Sequence, residues 1–488
     1  GNATVRARGN TDGISVYTGQ TGAAGALPSG GWDEDRNIDL DGDGTPDVED
    51  VNKAPDFDQD GTADGSVNGD INFTVSGQKI NPADEGIGTK LTEVIKGLSV
   101  TAVSNQKFIT VTIAVAGAGA AGVTGAATVN TLNATTEAYI GSGAVINNNN
   151  ATASADQSVR VMAVSNADMV MTEGSVGIAG AAGVSGSANI SVINNTTKAY
   201  VGGTINARND ITVAALSSED LNVITANLSG GGAAGVGAAA GVAVINGQTL
   251  GYVLQGSDLK AGDAISVYAY NNGYINVDTI SGAGGGFAGV GGAIVAAVIT
   301  HTTRAYVENA TVLASGAKLY AAGTMEVKAE AVENIIGVAA SAAGGGAAGV
   351  AGAIIIKIIN TTTQAYLGDY VQINQTNIPG LAENQTVKVQ AIDTVLSDGV
   401  AGSASISGIA GVGASLDVTI IRNTVTAFIG NNATVYAEKN SSASSPAGNI
   451  QVDAQAIKEI ESYVIAAAGG GAAGIGGAVA VISLGAKL

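Results

Sequence analysis

Residues 342–368 read AAGGGAAGVAGAIIIKIINTTTQAYLG, in which glycine and alanine give way to alternating aliphatic residues and then to threonines. Degenerate copies of this stretch recur along the chain. The glycine of each AGV or AGI step marks seven copies, at Gly122, Gly183, Gly235, Gly289, Gly349, Gly411 and Gly474. Consecutive anchors lie 52 to 63 residues apart. A period of this size is typical of repeat architectures, in which each unit packs on its neighbours.

A second anchor lies 17 positions after the glycine, where an aromatic residue stands. These aromatic residues are Tyr139, Tyr200, Tyr252, Tyr306, Tyr366 and Phe428. The segment between the two anchors keeps its length, whereas the remainder of each unit varies. We therefore predict that the constant segment is structural framework and that the variable part contains the loops.

The framework segment alternates with period two, which predicts a β-strand with one buried face. Positions 5, 7 and 9 after the anchor are mostly aliphatic, as in Ile354, Ile356 and Ile358, and we expect them to face the core. Positions 6 and 8 accept polar residues and are expected to face solvent: Thr128, Asn130, Asn189, Ser191, Lys357, Asp417 and Thr419. The following NATTEAY, NNTTKAY and NTTTQAY segments predict a turn.

The chain is predicted to be all-β, a parallel β-helix or related β-solenoid of seven degenerate repeats. We expect each repeat to contribute two or three coils, with a rise of about 4.8 Å per coil. Glycine and alanine at the strand starts suit closely approaching backbone layers. A large antiparallel sandwich array is the structural alternative. A bundle of membrane helices is disfavoured, because windows of roughly 20 apolar residues arise only by counting glycine and alanine.

The organisation along the chain follows from the repeat and from one acidic interruption. Residues 1–30 are predicted to form N-terminal solenoid strands, 31–70 an acidic insertion, and 71–98 a connector. A short helix within residues 81–98 would partly cap the solenoid. Residues 99–488 form the repeat array.

The insertion carries two D-x-D-x-D-G segments, the second 17 residues after the first. Side chains at alternate positions, with glycine at the sharp turn, are the pattern of a calcium loop with oxygen ligands. The predicted calcium ligands are Asp39, Asp41, Asp43, Thr45, Asp47, Asp50, Asp56, Asp58, Asp60, Thr62 and Asp64. Val67 replaces the last ligand of the second loop, and Pro46 and Pro55 disfavour flanking helices. The loops resemble thrombospondin type 3 repeats, which implies a structural role for calcium; a solvated acidic loop is the alternative.

Several classes of function are disfavoured by composition. The chain has no cysteine, which excludes disulfides and thiolate chemistry. It has 21 basic against 41 acidic residues and a net charge of -20, so we expect no nucleic-acid partner. The one histidine, His301, stands where other copies have turn residues, and the acids Asp210, Asp263, Asp393 and Asp417 are scattered singly. We therefore expect no enzymatic activity.

The recurring sequence patterns GGAAGVGGAVAV, TTxAYIG and ATVxA resemble the repeats of very large bacterial β-helical surface proteins. These include leukotoxin-type filamentous adhesins and haemagglutinin-like exoproteins. The resemblance covers residues from about 98 to the end. It implies an extracellular or cell-surface location and a rod-like passenger with an adhesive or matrix function. The resemblance implies no site residues for this chain, because the repeat pattern of these proteins specifies none.

The two ends of the sequence are nearly in phase with the repeat. The sequence stops 14 residues after Gly474, and its opening GNATVRA matches GNNATVYA, which starts 19 residues after Gly411. We therefore predict a structural protein that assembles with itself, head to tail, into a surface fibre. The alternatives are a rod-like adhesin fragment that binds a host or cell-surface ligand, and a polysaccharide-active enzyme with a carboxylate cluster in a groove.

Overall fold

The computed structural model describes residues 96–375, 385–437 and 448–487, together with the backbone of short strands that precede residue 96. The insertion with the predicted calcium ligands lies outside the described residues. So do residues 81–90 of the connector, whereas its residues 91–95 form a strand.

Three seven-stranded parallel sheets build the molecule. The first sheet contains the strands β6 (Gly97–Ala118), β9 (Ser158–Ala179), β12 (Ile211–Gly231), β15 (Ile265–Gly285), β18 (Thr324–Gly345), β21 (Thr386–Ser407) and β24 (Asn449–Gly470). The second contains β7 (Ala121–Ile140), β10 (Ala182–Val201), β13 (Ala234–Val253), β16 (Ala288–Val307), β19 (Ala348–Leu367), β22 (Ala410–Ile429) and β25 (Ala473–Lys487).

The third sheet is made of shorter strands: β1 (Thr4–Val5), β8 (Val145–Ile146), β11 (Thr204–Ala207), β14 (Asp258–Ala261), β17 (Lys318–Ala321), β20 (Gln372–Ile373) and β23 (Thr434–Val435). Two antiparallel pairs lie outside these sheets: β2 (Ile14–Thr18) with β5 (Leu91–Ile95), and β3 (Phe73–Val75) with β4 (Gln78–Ile80). A 3₁₀ turn occupies Leu313–Ser315.

Each repeat forms one coil of a parallel β-solenoid. Gly289 pairs in register with Gly235 on one side and with Gly349 on the other, and the same holds for the other anchor glycines. The predicted solenoid is therefore confirmed, and an antiparallel sandwich is excluded for the array. The expectation of two or three coils per repeat was wrong, because the strands are 20 to 22 residues long in most coils and one coil uses a whole repeat. We number the coils 1 to 7 by their anchors.

The segment predicted as a turn after the aliphatic run is part of the second-sheet strand. In β10 the strand continues through residues 194–197 to Val201. The asparagines form a ladder between coils instead of a turn: Asn194 donates to Asn133 at 2.8 Å, and Asn246 donates to Asn194 at 2.9 Å. Identical polar residues at one strand position can thus satisfy each other across parallel strands.

The inward and outward faces of this strand are also the reverse of the prediction. Lys357 and Asp417, expected in solvent, are buried, as are Asn189 and Ser191. The aliphatic residues at positions 5, 7 and 9 face outward, and Ile294 is 44% exposed. The reason is that this part of the second sheet lies against the first sheet, where inward polar groups find partners, as Asp417 does in Ser462.

The cross-section of the solenoid has two parts. Where all three sheets meet, aliphatic residues such as Val213, Val253 and Leu259 form a closed core. The rest of the two long strands, residues 275–299 in coil 4, forms a two-layer projection that we call the blade. Its interior contains a second apolar cluster, which includes Leu221, Ile245, Ile275, Ile299 and Ile335.

A column of glycines forms the tip of the blade, at the bend between the two layers. The backbone there is hydrogen-bonded from coil to coil, with Gly286 N donating to Gly231 O and Phe287 N to Ala233 O. A Cβ atom on Gly286 would lie 2.1 Å from Gly232 O in the coil below. The recurrent glycines are therefore needed for close stacking, as the sequence predicted for the strand starts.

Candidate functional site

No group of three or more histidine, cysteine, aspartate or glutamate side chains that could hold a metal ion occurs within the described ranges. The same part of the chain contains no helix of the length and apolar character that a membrane span requires. The predicted calcium ligands between residues 39 and 64 lie outside it.

His301 lies inside the solenoid rather than at a turn, and it is the centre of a buried polar cluster. His301 Nδ1 is 2.6 Å from Glu333 Oε1, and His301 Nε2 is 3.6 Å from Glu219 Oε2. Asn271 Nδ2 donates to Glu333 Oε1 at 3.1 Å. Asn195 Nδ2 donates to Glu219 Oε1 at 2.5 Å. The prediction of His301 as an ordinary turn residue was wrong, because the turn segment is a strand.

Burial controls the protonation of this cluster. It raises the pKa of Glu333 well above its ordinary value and raises the pKa of Glu219, while it lowers the pKa of His301. Charged forms lose their hydration inside the solenoid, so burial favours a neutral His301 imidazole and protonated Glu219 and Glu333 carboxyl groups. The side chains of the cluster are closed to solvent.

Two of the acids that appear isolated in the sequence are also internal. Asp393 accepts a hydrogen bond from Thr363 Oγ1 at 2.7 Å. Asp417 lies 3.4 Å from Lys357 Nζ and accepts a hydrogen bond from Ser462 at 2.6 Å. The register between the two long sheets brings Thr363 to Asp393 and Ser462 to Asp417, whereas Lys357 and Asp417 lie on neighbouring strands of the second sheet.

The aromatic anchors form a continuous stack along the second sheet. Neighbouring ring centroids, from Tyr139 to Phe428, are 4.8 to 5.0 Å apart. Partial burial, its largest cause, raises the pKa of Tyr252 to about 12. Within the stack the faces of neighbouring rings cover one another, which stabilises the pairing of the strands that carry them.

The two end coils expose residues that are fully buried in the coils between them. Val389 in coil 6 is 0% exposed, but its register partner Val452 in coil 7 is 40% exposed. Ile421 is 0% exposed, and its partner Leu484 is 56% exposed. At the other end Phe108 is 47% exposed, whereas its partner Met169 is buried. Both end surfaces therefore combine apolar side chains with strand edges.

Several apolar residues of the two end coils belong to the same columns of the solenoid. Val452 shares its column with Val100, Ile460 with Phe108, and Leu484 with Leu132. In-register stacking of coil 7 on coil 1 of a second copy would place an apolar residue on an apolar residue in each of these columns. Such stacking would continue all three sheets from one copy into the next.

One column carries opposite charges at its two ends. Lys107 in coil 1 and exposed Glu459 in coil 7 occupy the same register position on the first sheet. The spacing of adjacent coils suits an ion pair in this column, since Lys107 Nζ lies 2.9 Å from Asp168 of the next coil. A stacked copy would bring Glu459 into the column of Lys107, on the side opposite Asp168.

Comparisons of the chain with family models, with curated proteins and with solved structures find no match.

Proposed function

We propose that this protein is an extracellular structural subunit that stacks head to tail, in register, into a fibre. The observation that carries the proposal is that both end coils present apolar residues in shared columns, together with the opposite charges of Lys107 and Glu459 in one further column. An edge strand with free N–H and C=O groups is a template for a further strand. A heterologous contact that does not close gives a filament.

The energetics favour a like partner over an unrelated one. Every coil already packs on copies of its own pattern, so a second molecule offers the same ladder of hydrogen bonds, the same glycine column and the same inward apolar positions. The Lys107 and Glu459 column adds charge complementarity, which fixes polarity and register. Two identical ends would instead bring Lys107 against Lys107.

Replacing Glu459 by lysine is expected to weaken this stacking, because it places two ammonium groups in one column across the junction. We expect the critical concentration for filament formation to rise by about tenfold or more, equivalent to about 1.4 kcal/mol per junction. Sedimentation of polymer over a concentration series measures it.

Glu461→Lys is the matched control. Glu461 lies two residues away on the same strand, and its column ends in uncharged Ile109. It should leave the critical concentration nearly unchanged. Equal effects of both variants, or unchanged polymerisation of Glu459→Lys, would contradict the proposed junction.

We further propose that the acidic insertion at residues 31–70 binds calcium through its two aspartate-rich loops. The support is the spacing of the carboxylates, which repel one another unless a hard cation neutralises them. The role of the ion would be to order a segment with few apolar residues of its own.

Calcium binding is expected to protect this insertion from proteolysis. Addition of a chelator should expose cleavage sites between residues 31 and 70, and Asp41→Asn with Asp58→Asn should have the same effect in calcium. Mass spectrometry of the fragments locates the cuts. Identical cleavage with and without calcium would show that the loops are merely solvated.

The resemblance of the repeat patterns to those of β-helical adhesins and exoproteins supports the proposed location outside the cell. A rod-like adhesin passenger is the alternative within the same class, and it would remain unpolymerised under the conditions of the sedimentation experiment.

A further inference from the structure

We propose that the outer face of the blade on the second sheet is a lateral docking surface for a second copy of this chain. This face consists of the outward positions from one residue before the anchor glycine to nine residues after it, in all seven coils. The inference is independent of end-to-end stacking, because it concerns the side of the solenoid and not its ends.

The blade is apolar outside and partly polar inside, which is the reverse of an ordinary solvated sheet. In coil 2 the outward Val184 and Ile190 are exposed, while the inward Ser185 and Asn189 between them are buried. The outward positions of this face contain no charged residue in any coil, and only Thr131 and Ser483 are polar. A surface of this composition is expected to be covered.

The size of the face matches that of a stable protein interface. It extends over eleven residues along the strands and over seven coils, which gives about 950 Å² at the usual strand spacings. A standard interface buries about 800 Å² on each partner. The face thus provides enough area for a specific pair without any contribution from the rest of the surface.

The groove and the ridge on this face allow it to pack against the same face of a second copy. Position 3 is glycine or alanine in every coil and forms a groove, and Gly186, Ala238 and Gly292 line an apolar depression along it. Position 5 is a ridge in coils 4 to 7. A two-fold axis parallel to the solenoid axis places the position 5 ridge of one copy opposite the position 3 groove of the other. Ile294 then faces Gly292, and the two solenoids keep the same polarity.

The opposite face of the blade, on the first sheet, is a poorer candidate for self-pairing. Asp278 interrupts its apolar columns, and Asp398 and Glu461 lie at its base. Like charges would meet in a symmetric pair of that face. The bilayer is a poorer occupant of the second-sheet face, because an acidic chain is repelled by anionic lipid surfaces.

The test compares Val236→Asp, on this face, with Gln248→Asp, an exposed position on the same strand beyond it. Both are made with Glu459→Lys, so that end-to-end association is suppressed and the two kinds of contact are distinguished. Sedimentation equilibrium should give twice the chain mass for the Glu459→Lys protein and for Gln248→Asp. Val236→Asp should weaken the dimer at least tenfold while retaining the thermal unfolding temperature.

Cross-linking tests the geometry, and the natural chain has no cysteine to interfere. A mixture of Ala238→Cys and Ala240→Cys proteins should form a covalent dimer with a short bismaleimide, whereas Asn246→Cys should not. A monomer for the Glu459→Lys protein, or a dimer that Val236→Asp leaves intact, would overturn the proposal. Flotation of a monomer with neutral phosphatidylcholine vesicles, lost in Val236→Asp, would assign the face to lipid and also overturn it.

Discussion

Replacing Gly286 by alanine is expected to lower the free energy of unfolding by about 3 kcal/mol or more. The added Cβ would lie 2.1 Å from Gly232 O and 3.3 Å from Gly232 C, both backbone atoms of the coil below. Backbone held in a parallel ladder cannot move aside locally. The coils on either side of the substitution would have to separate at the blade tip. Denaturant unfolding followed by circular dichroism measures the change.

Gly284→Ala is the matched control, since Gly284 is two residues away in the same coil. Its added Cβ would meet nothing within 4 Å. The substitution should change stability by no more than about 0.5 kcal/mol, as for ordinary surface positions. Equal losses for both variants would show that glycine is needed for backbone flexibility rather than for the close approach of coils.

The stability of the solenoid is expected to fall as the pH rises from 5 to 8. Burial raises the pKa of Glu326 from 4.5 to about 7, and it also raises the pKa values of Glu219, Glu333 and Asp393. Between pH 4.5 and 7 the unfolded chain loses the Glu326 proton while the folded chain keeps it. Unfolding is therefore increasingly favoured with rising pH, by roughly 3 kcal/mol for Glu326 alone.

His301 opposes this trend but does not reverse it. Its lowered pKa keeps it neutral in the folded chain, so its contribution to stability is lost as the pH falls below its ordinary value of 6.5. The buried carboxyl groups outnumber it. Lys328 and Lys388 partly offset the burial of Glu326, and Glu330 adds to its rise.

Glu326→Gln separates this group from the others. The variant keeps the shape of the side chain but has no carboxyl group to titrate. The loss of stability between pH 5 and pH 8 should therefore shrink by roughly 3 kcal/mol. Chemical denaturation at both pH values provides the numbers. A wild-type chain that becomes more stable towards pH 8, or an unchanged pH dependence in the variant, would contradict the buried uncharged carboxyl.

The sequence was sufficient to predict the solenoid, but not its register. The anchor glycine and the aromatic residue 17 positions later recur at constant spacing, and the structure pairs each with its counterpart in the next coil. It did not predict the number of coils per repeat. Strands usually have about 5 or 6 residues, and the asparagine and threonine run within strands of 20 residues has the composition of a turn.

The direction of the alternation could not be read from hydrophobicity alone. Period two separates two faces, but it does not say which one is inside, and at positions 6 and 8 the inward face includes Lys357 and Asp417. The useful signal was size: positions 2 and 4 after the anchor hold only glycine, alanine, serine or threonine. The cluster around His301 was missed because Glu219 and Glu333 reach it from the other long sheet, and the register between two sheets is not a property of one repeat.

The most direct test of head-to-tail assembly is cryo-electron microscopy of the polymer formed by the purified full chain. The proposal predicts filaments with an unbroken ladder spacing of about 4.8 Å and a subunit repeat of about 34 Å, because each molecule adds seven coils. Glu459 of one subunit should lie beside Lys107 of the next. Separate rods of one molecule each, or filaments whose ladder is interrupted at every junction, would contradict it.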